Sequence, residues 1–297
     1  MTRYKYIIFT ALSGLLYGSI GYFGHHIRNT GMSISDMLFW RFIISSLLII
    51  PFIVKINFKN YKPSDMLGCF IMGMIFYGIS TWYYFYSAHE IGSGLAMVLF
   101  YAYPAIVALI SVFFGKEKIS GIEILSLISI FIGCVLISGK FNDSLNAVGI
   151  RAGLISAFLY SLYMFFSKKY VNKLDSYLAS FLVCLGIGFA FFLNNMIFEQ
   201  KIDFPDNNSQ WLLVIAFALV GTILPIVFLF IGMKGISATK ASIISVLEPV
   251  TTLIIGITLL NESVTVIQFI GSIIILIGAT LVAVNPQIST LGKNDVK

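Results

Sequence analysis

The chain has 297 residues, of which 58% are hydrophobic and only 11% charged, and its mean hydropathy is +0.94. An ordinary soluble domain carries about 25% charged residues, so a water-filled surface around one core is excluded as a home for this much apolar side chain. The formal charge of +6 does not point to nucleic acid, because the 19 Lys and Arg residues follow the loops instead of gathering on one face.

A hydrocarbon core about 30 Å thick takes about 20 residues of apolar helix. Ten such runs are predicted, over residues 6–24, 36–54, 66–88, 92–114, 119–138, 146–166, 176–198, 210–232, 237–260 and 264–284. They are continuous and twice the length of barrel strands, which argues for helices. Arg3 and Lys5 ahead of the first run also fit a signal peptide, but nine further runs favour a retained first helix. The second run is the weakest, because Asp36 and Arg41 fall inside it. The third, fourth, seventh, eighth and tenth contain no charged residue. Cys69, Cys134 and Cys184 lie in three different runs, where a thiol acts as a small hydrophobe, and neither a disulfide nor a metal site is expected.

Placing the N-terminus in the cytoplasm puts 14 of the 19 basic residues on that side, and the other five are Arg28, Arg41, Lys140, Arg151 and Lys201. This bias predicts a multi-pass protein of the cytoplasmic (inner) membrane with both termini inside and an even number of spans.

The chain also repeats. Residues 88–139 written above 233–284, a shift of 145 without a gap, match at 11 of 52 positions, among them Pro104 with Pro249, Glu117 with Glu262 and Gly133 with Gly278. Proline, glutamate and glycine coinciding carry more weight than matched isoleucines. The predicted units are five-helix repeats over residues 6–139 and 146–284, followed by a cytoplasmic tail, 285–297. Five is odd, so the halves insert upside down relative to each other. Such inverted repeats are a mark of secondary transporters. The expected fold class is therefore an all-α integral membrane protein, ten transmembrane helices arranged as two inverted repeats around a central cavity.

The segment from Tyr103-Pro104 to Gly115-Lys116-Glu117, and its counterpart from Glu248-Pro249 to Leu260-Asn261-Glu262 with Gly271 and Gly278 following, resembles the paired EamA-type modules of the drug/metabolite transporter superfamily. The resemblance implies a ten-helix bundle around a central cavity and substrates drawn from amino acids, nucleotide derivatives and other metabolites.

Glu248 stands eight residues inside a span, where a carboxylate is costly unless paired, hydrated or neutral. It is the first candidate for a substrate counter-ion or a coupling site; a hydrogen bond to a neighbouring helix is the plainer reading. Pro104 and Pro249 remove a backbone donor, free the carbonyls of Phe100 and Ser245, and predict kinks that either open onto a cavity or improve packing. Tyr17, Trp82, Tyr101, Tyr103 and Tyr160 are the aromatic candidates for substrate contact, against the alternative of an interfacial belt. Arg41 and Lys240 suit an anionic group, although snorkelling, or pairing of Arg41 with Asp36, is the simpler expectation. Glu117 and Glu262 precede helices, where a carboxylate complements the N-terminus or serves as a gate contact. Gly14 with Gly18, and Ser129 with Gly133, permit close helix approach within the chain or between two copies.

No enzyme is expected. His89-Glu90 lacks the second histidine of a zinc helix, Gly115-Lys116 lacks the upstream glycine of a phosphate loop, and the His25-His26 pair reads as solvated. The expectation is alternating-access carriage of a small metabolite such as an amino acid or nucleoside-type compound across the lipid bilayer, without a cofactor and driven by a proton or counter-substrate. A non-alternating membrane interaction or channel-like protein is the alternative.

Overall fold

A computed structural model describes residues 3–115, 117–138, 146–199, 201–260 and 265–284. The predicted tail and Glu262 lie outside the described residues. Among those described, nine helical stretches are long and apolar enough to cross a membrane: Tyr4–Ile27, Ile34–Ile53, Pro63–Ile91, Ser93–Phe113, Ala147–Val171, Ser176–Ile197, Asn208–Met233, Ala238–Leu259 and Val266–Val284. A tenth, Gly121–Ile137, is apolar but shorter, and it falls at the fifth position, as expected. They are called spans 1 to 10 in chain order.

The packing pairs each half with the other. Span 1 lies against span 8, where Ser13 Oγ donates to Pro225 O at 2.7 Å. Span 3 lies against span 6, where Ser156 Oγ donates to Ser80 O at 2.8 Å. The acceptors Ser80 and Pro225 are themselves 145 residues apart. Buried carbonyls with no water near them need such partners, and serine hydroxyls supply them between helices. Spans 2 and 7 pack together, as do spans 5 and 10, where a side chain on Gly133 would meet Gly271 O at 2.7 Å.

The repeat also appears in local geometry. Ser120 and Glu123 cap span 5 reciprocally, Ser120 N–H donating to Glu123 Oε2 at 2.7 Å and Glu123 N–H to Ser120 Oγ at 3.3 Å. Thr265 and Gln268 cap span 10 in the same way, at 2.9 and 3.3 Å. Each pair ties down two amide donors that a helix start leaves open.

Two kinds of irregularity recur at the same offset. Spans 3 and 8 each contain a π-helical segment, Met72–Gly78 and Leu219–Ile223. Spans 4 and 9 are broken outright. The helix ends at Phe100 and restarts at Tyr103, and it ends at Ser245 and restarts at Glu248. Pro104 and Pro249 therefore stand at the second position of a new half-helix. There a missing N–H costs nothing, because the first amides of a helix have no internal partner. The expected kinks are complete interruptions.

Candidate functional site

The broken helices and π segments converge on one central cavity of about 620 Å³. Its walls come from the second half of span 1, the start of span 2, span 3, span 4 up to its break, Tyr160 of span 6, and the second half of span 9. The lining includes Met32, Ile34, Ser93, Gly94, Leu260 and Gln268, which places the mouth at the bundle end opposite the N-terminus.

The other end is closed by polar contacts between the halves. Thr239 Oγ1 donates to Glu117 Oε2 at 3.2 Å, Lys168 Nζ donates to Met233 O, and Lys240 Nζ stands 3.9 Å from Glu123 Oε1. Burial raises the Glu117 carboxyl above the usual carboxylate range, against the lowering effects of Thr239 and the nearby lysines. Lys173, in the turn between spans 6 and 7, adds an ion pair of 2.8 Å with Asp65 at the start of span 3.

Of the sequence candidates, Tyr17, Tyr101, Tyr160, Glu248 and Pro249 line the cavity. Tyr103 is buried one layer behind it, edge-on to Tyr160 at 4.8 Å between ring centres, with its hydroxyl donating to Ser242 O at 3.2 Å. Pro104 is buried and away from the lining. Trp82 does not face the cavity. It is 38% exposed and borders a shallow outer groove with Tyr83 and Phe198, stacked on Tyr86 at 5.2 Å. Trp82 lies two residues from the inward Ser80 and Tyr84, and at about 100° of rotation per residue the helix carries its ring to the outside. Glu117 stands at the closed end, and Lys240 points there too.

Arg41 departs furthest from expectation. It neither snorkels nor pairs with Asp36, whose Oδ2 instead accepts from Ser33 Oγ at 2.6 Å. Its guanidinium turns inward, 2% exposed, over the rings of Phe217 and Phe42 at 4.2 and 4.8 Å. Nε donates to Thr222 Oγ1 at 2.6 Å and one Nη to Gly221 O at 2.9 Å, both on the π segment of span 8. The signal in the sequence was the cation's depth, several residues past the helix start, because intramembrane charges face the bundle interior. Tyr77 and Tyr84 are further lining residues, and Tyr77 sits 145 residues before Thr222, on the matching π segment. Tyr101 and Glu248, from spans 4 and 9, line the same cavity.

Ser245 does not open onto the cavity. A side chain on Gly14 would stand 2.6 Å from Ser245 O, and one on Gly18 would meet Glu248 O at 2.8 Å. The two glycines of span 1 thus seat the backbone directly on the break in span 9, which aims Glu248 inward.

A bundle of apolar helices with a half-open, charged and tyrosine-lined cavity at its centre suits a membrane transporter. The EamA-like transporter family matches residues 4–139 and 147–284, and the chain belongs to that family. It is similar to the uncharacterized transporter YxxF of Bacillus subtilis (strain 168), 26% identical over 289 residues, covering 95% of this chain and 90% of that one. It is equally 26% identical to an uncharacterized transporter of Archaeoglobus fulgidus, over 91% of this chain and 93% of that one. A third uncharacterized transporter, from Clostridium kluyveri, is 26% identical over 93% of this chain and 92% of its own. A solved crystal structure superposes with a TM-score of 0.81 at 17% identity, covering 94% of this chain and 96% of its own, and shows the same fold.

Proposed function

We propose that this transporter is a secondary carrier that moves a small polar metabolite, of the amino acid or nucleoside type, by alternating access. One observation carries the reading: a central cavity open at one end of the bundle and sealed at the other by contacts between two halves of like construction. If the halves exchange shapes, the seal opens and the mouth closes, so the site faces each side in turn. The loop charges support a cytoplasmic membrane location with both termini inside, and on that placement the cavity faces outward. The driving force in this reading is a proton or counter-substrate gradient.

Counterflow in proteoliposomes tests it. Vesicles preloaded with unlabelled substrate should take up labelled substrate transiently and saturably. Unsaturable flux, or uptake indifferent to the internal substrate, would favour a channel and remove the carrier.

A further inference from the structure

The half-helices Ser93–Phe100 and Ala238–Ser245 stand 145 residues apart at both ends, and Tyr103–Phe113 and Glu248–Leu259 begin at the same offset. At the sealed end Tyr103–Phe113 packs against Ala238–Ser245, and the Tyr103 hydroxyl crosses to donate to Ser242 O at 3.2 Å. Their counterparts, Glu248–Leu259 and Ser93–Phe100, do not form a packed pair and both line the open cavity. A mouth sealed in the same manner sets Glu248 in the place of Tyr103, Met97 in that of Ser242 and Gly94 in that of Thr239. Gly94 and Met97 already line the cavity with Glu248. A glycine where the sealed end has a threonine lets the two half-helices approach closely, as the shorter side chain of a glutamate requires.

The group that Glu248 then meets is the backbone carbonyl of Met97. An ionised carboxylate and a carbonyl are both acceptors, so they repel, and burying the charge is costly besides. The protonated acid can donate. We propose that Glu248 is a proton-operated latch: the mouth closes when a proton from the water of the mouth joins the carboxylate and the resulting O–H donates to Met97 O. Tyr103 lies buried one layer behind the present cavity, so Glu248 in the closed state lies behind an inward-facing one. The proton therefore returns to the side it came from; acidity at the mouth permits turnover, and a counter-substrate drives it. A tyrosine holds its proton near neutral pH, so the sealed end makes no such demand. This inference rests on the alternating-access reading, but its readout is the state of the mouth.

The test reads closure at Ala88, which lines the cavity and whose counterpart Met233 is fully buried at the sealed end. A cysteine there is reachable while the mouth is open and covered once it closes; Cys69, Cys134 and Cys184 are buried. Arg41, Tyr17, Tyr22, Tyr77, Tyr84, Tyr101 and Tyr160 share the cavity with Glu248, and arginine and tyrosine side chains keep their protons between about pH 5 and 8. His25 and His89 also line it, so His25→Gln and His89→Gln are included throughout. Purified full-length Ala88→Cys protein, with Glu248 or with Glu248→Gln and no ligand added, is treated with a polar maleimide, and each rate is divided by that of glutathione at the same pH. With Glu248 the normalised rate should fall about tenfold or more from about pH 8 to about pH 5, because one proton linked to closure moves the equilibrium by up to about tenfold per pH unit. Glu248→Gln carries an amide N–H that can donate to Met97 O at any pH, so its rate should stay low throughout. Equal rates in the two proteins, the same pH slope in both, or a Glu248→Gln protein that stays reactive would overturn the latch. Where Glu248→Gln does not fold, a flat normalised rate with Glu248 overturns it alone. Counterflow lost with the pH response intact removes the carrier and leaves the latch, whereas counterflow intact with a flat response removes the latch and leaves the carrier.

Discussion

Arg41 Nε donates to Thr222 Oγ1 at 2.6 Å, and the two residues belong to opposite halves of the chain, 181 positions apart. The contact exists because span 8 widens into a π segment at Leu219–Ile223, where Thr222 Oγ1 also donates to Phe217 O at 3.2 Å. The threonine hydroxyl thus passes its own proton to the backbone and offers its lone pair to the guanidinium. Such local π turns are frequent at functional sites, because they re-aim a carbonyl and a side chain without ending the helix.

Thr222→Val keeps the shape and removes this acceptor. A hydrogen bond to a charged group is worth about 1.5–3 kcal/mol when buried, and the variant should lose stability on that scale. Ligand affinity should fall as well, because the fork of Arg41 is no longer held. Thermal unfolding with and without ligand reads both.

Gly14→Ala should be destabilising by about 1–3 kcal/mol, because the new methyl meets a carbonyl of the broken helix that cannot yield. Gly24, in the same span, has nothing within 4 Å of its would-be side chain. Gly24→Ala should be neutral or slightly stabilising, since alanine is the better helix former. Equal unfolding temperatures for the two variants would contradict the close seating of span 1 on span 9.

Pro104→Ala and Pro249→Ala restore an N–H that can reach back across each break. Their cost in stability should stay below about 1 kcal/mol, as both prolines occupy first-turn positions. Transport should suffer more, because closing the break in span 9 re-aims Glu248. The measurement is initial counterflow rate set beside unfolding temperature.

Glu117 gives the closed end a pH dependence of definite sign. Burial raises its folded-state pKa above the unfolded value, so the folded protein binds this proton more tightly. The resulting stability is fully present below the usual carboxylate range and is lost as pH rises through the raised value. Glu117→Gln should flatten that part of the stability profile, measured as unfolding temperature against pH. An unchanged slope would remove Glu117 as its source.

Much of this protein is legible along the chain. The ten apolar runs, the loop charges and the 145-residue offset are set by constraints that act on continuous segments: a bilayer demands a minimum length of helix, and its dry interior demands that each segment satisfy its own backbone. Glu248 could also be singled out, because a carboxylate deep in a span is rare whatever its neighbours. Which way a side chain faces could not be read so easily. Lipid tails are as apolar as a packed interior, so the lipid-facing and core-facing sides of these helices have similar compositions and periodicity loses its contrast. Hence Trp82 and Tyr84, two residues apart in one aromatic run, go to opposite sides, and Arg41 turns inward although its position near a span entrance suited snorkelling. The same limit applies to the prolines, whose chemistry predicts an interruption but not the glycines of another helix that fill it. Sequence alone determined that this is a ten-span, two-fold repeated membrane transporter. Only tertiary packing decided that Arg41 and Glu248, more than 200 residues apart, face one cavity.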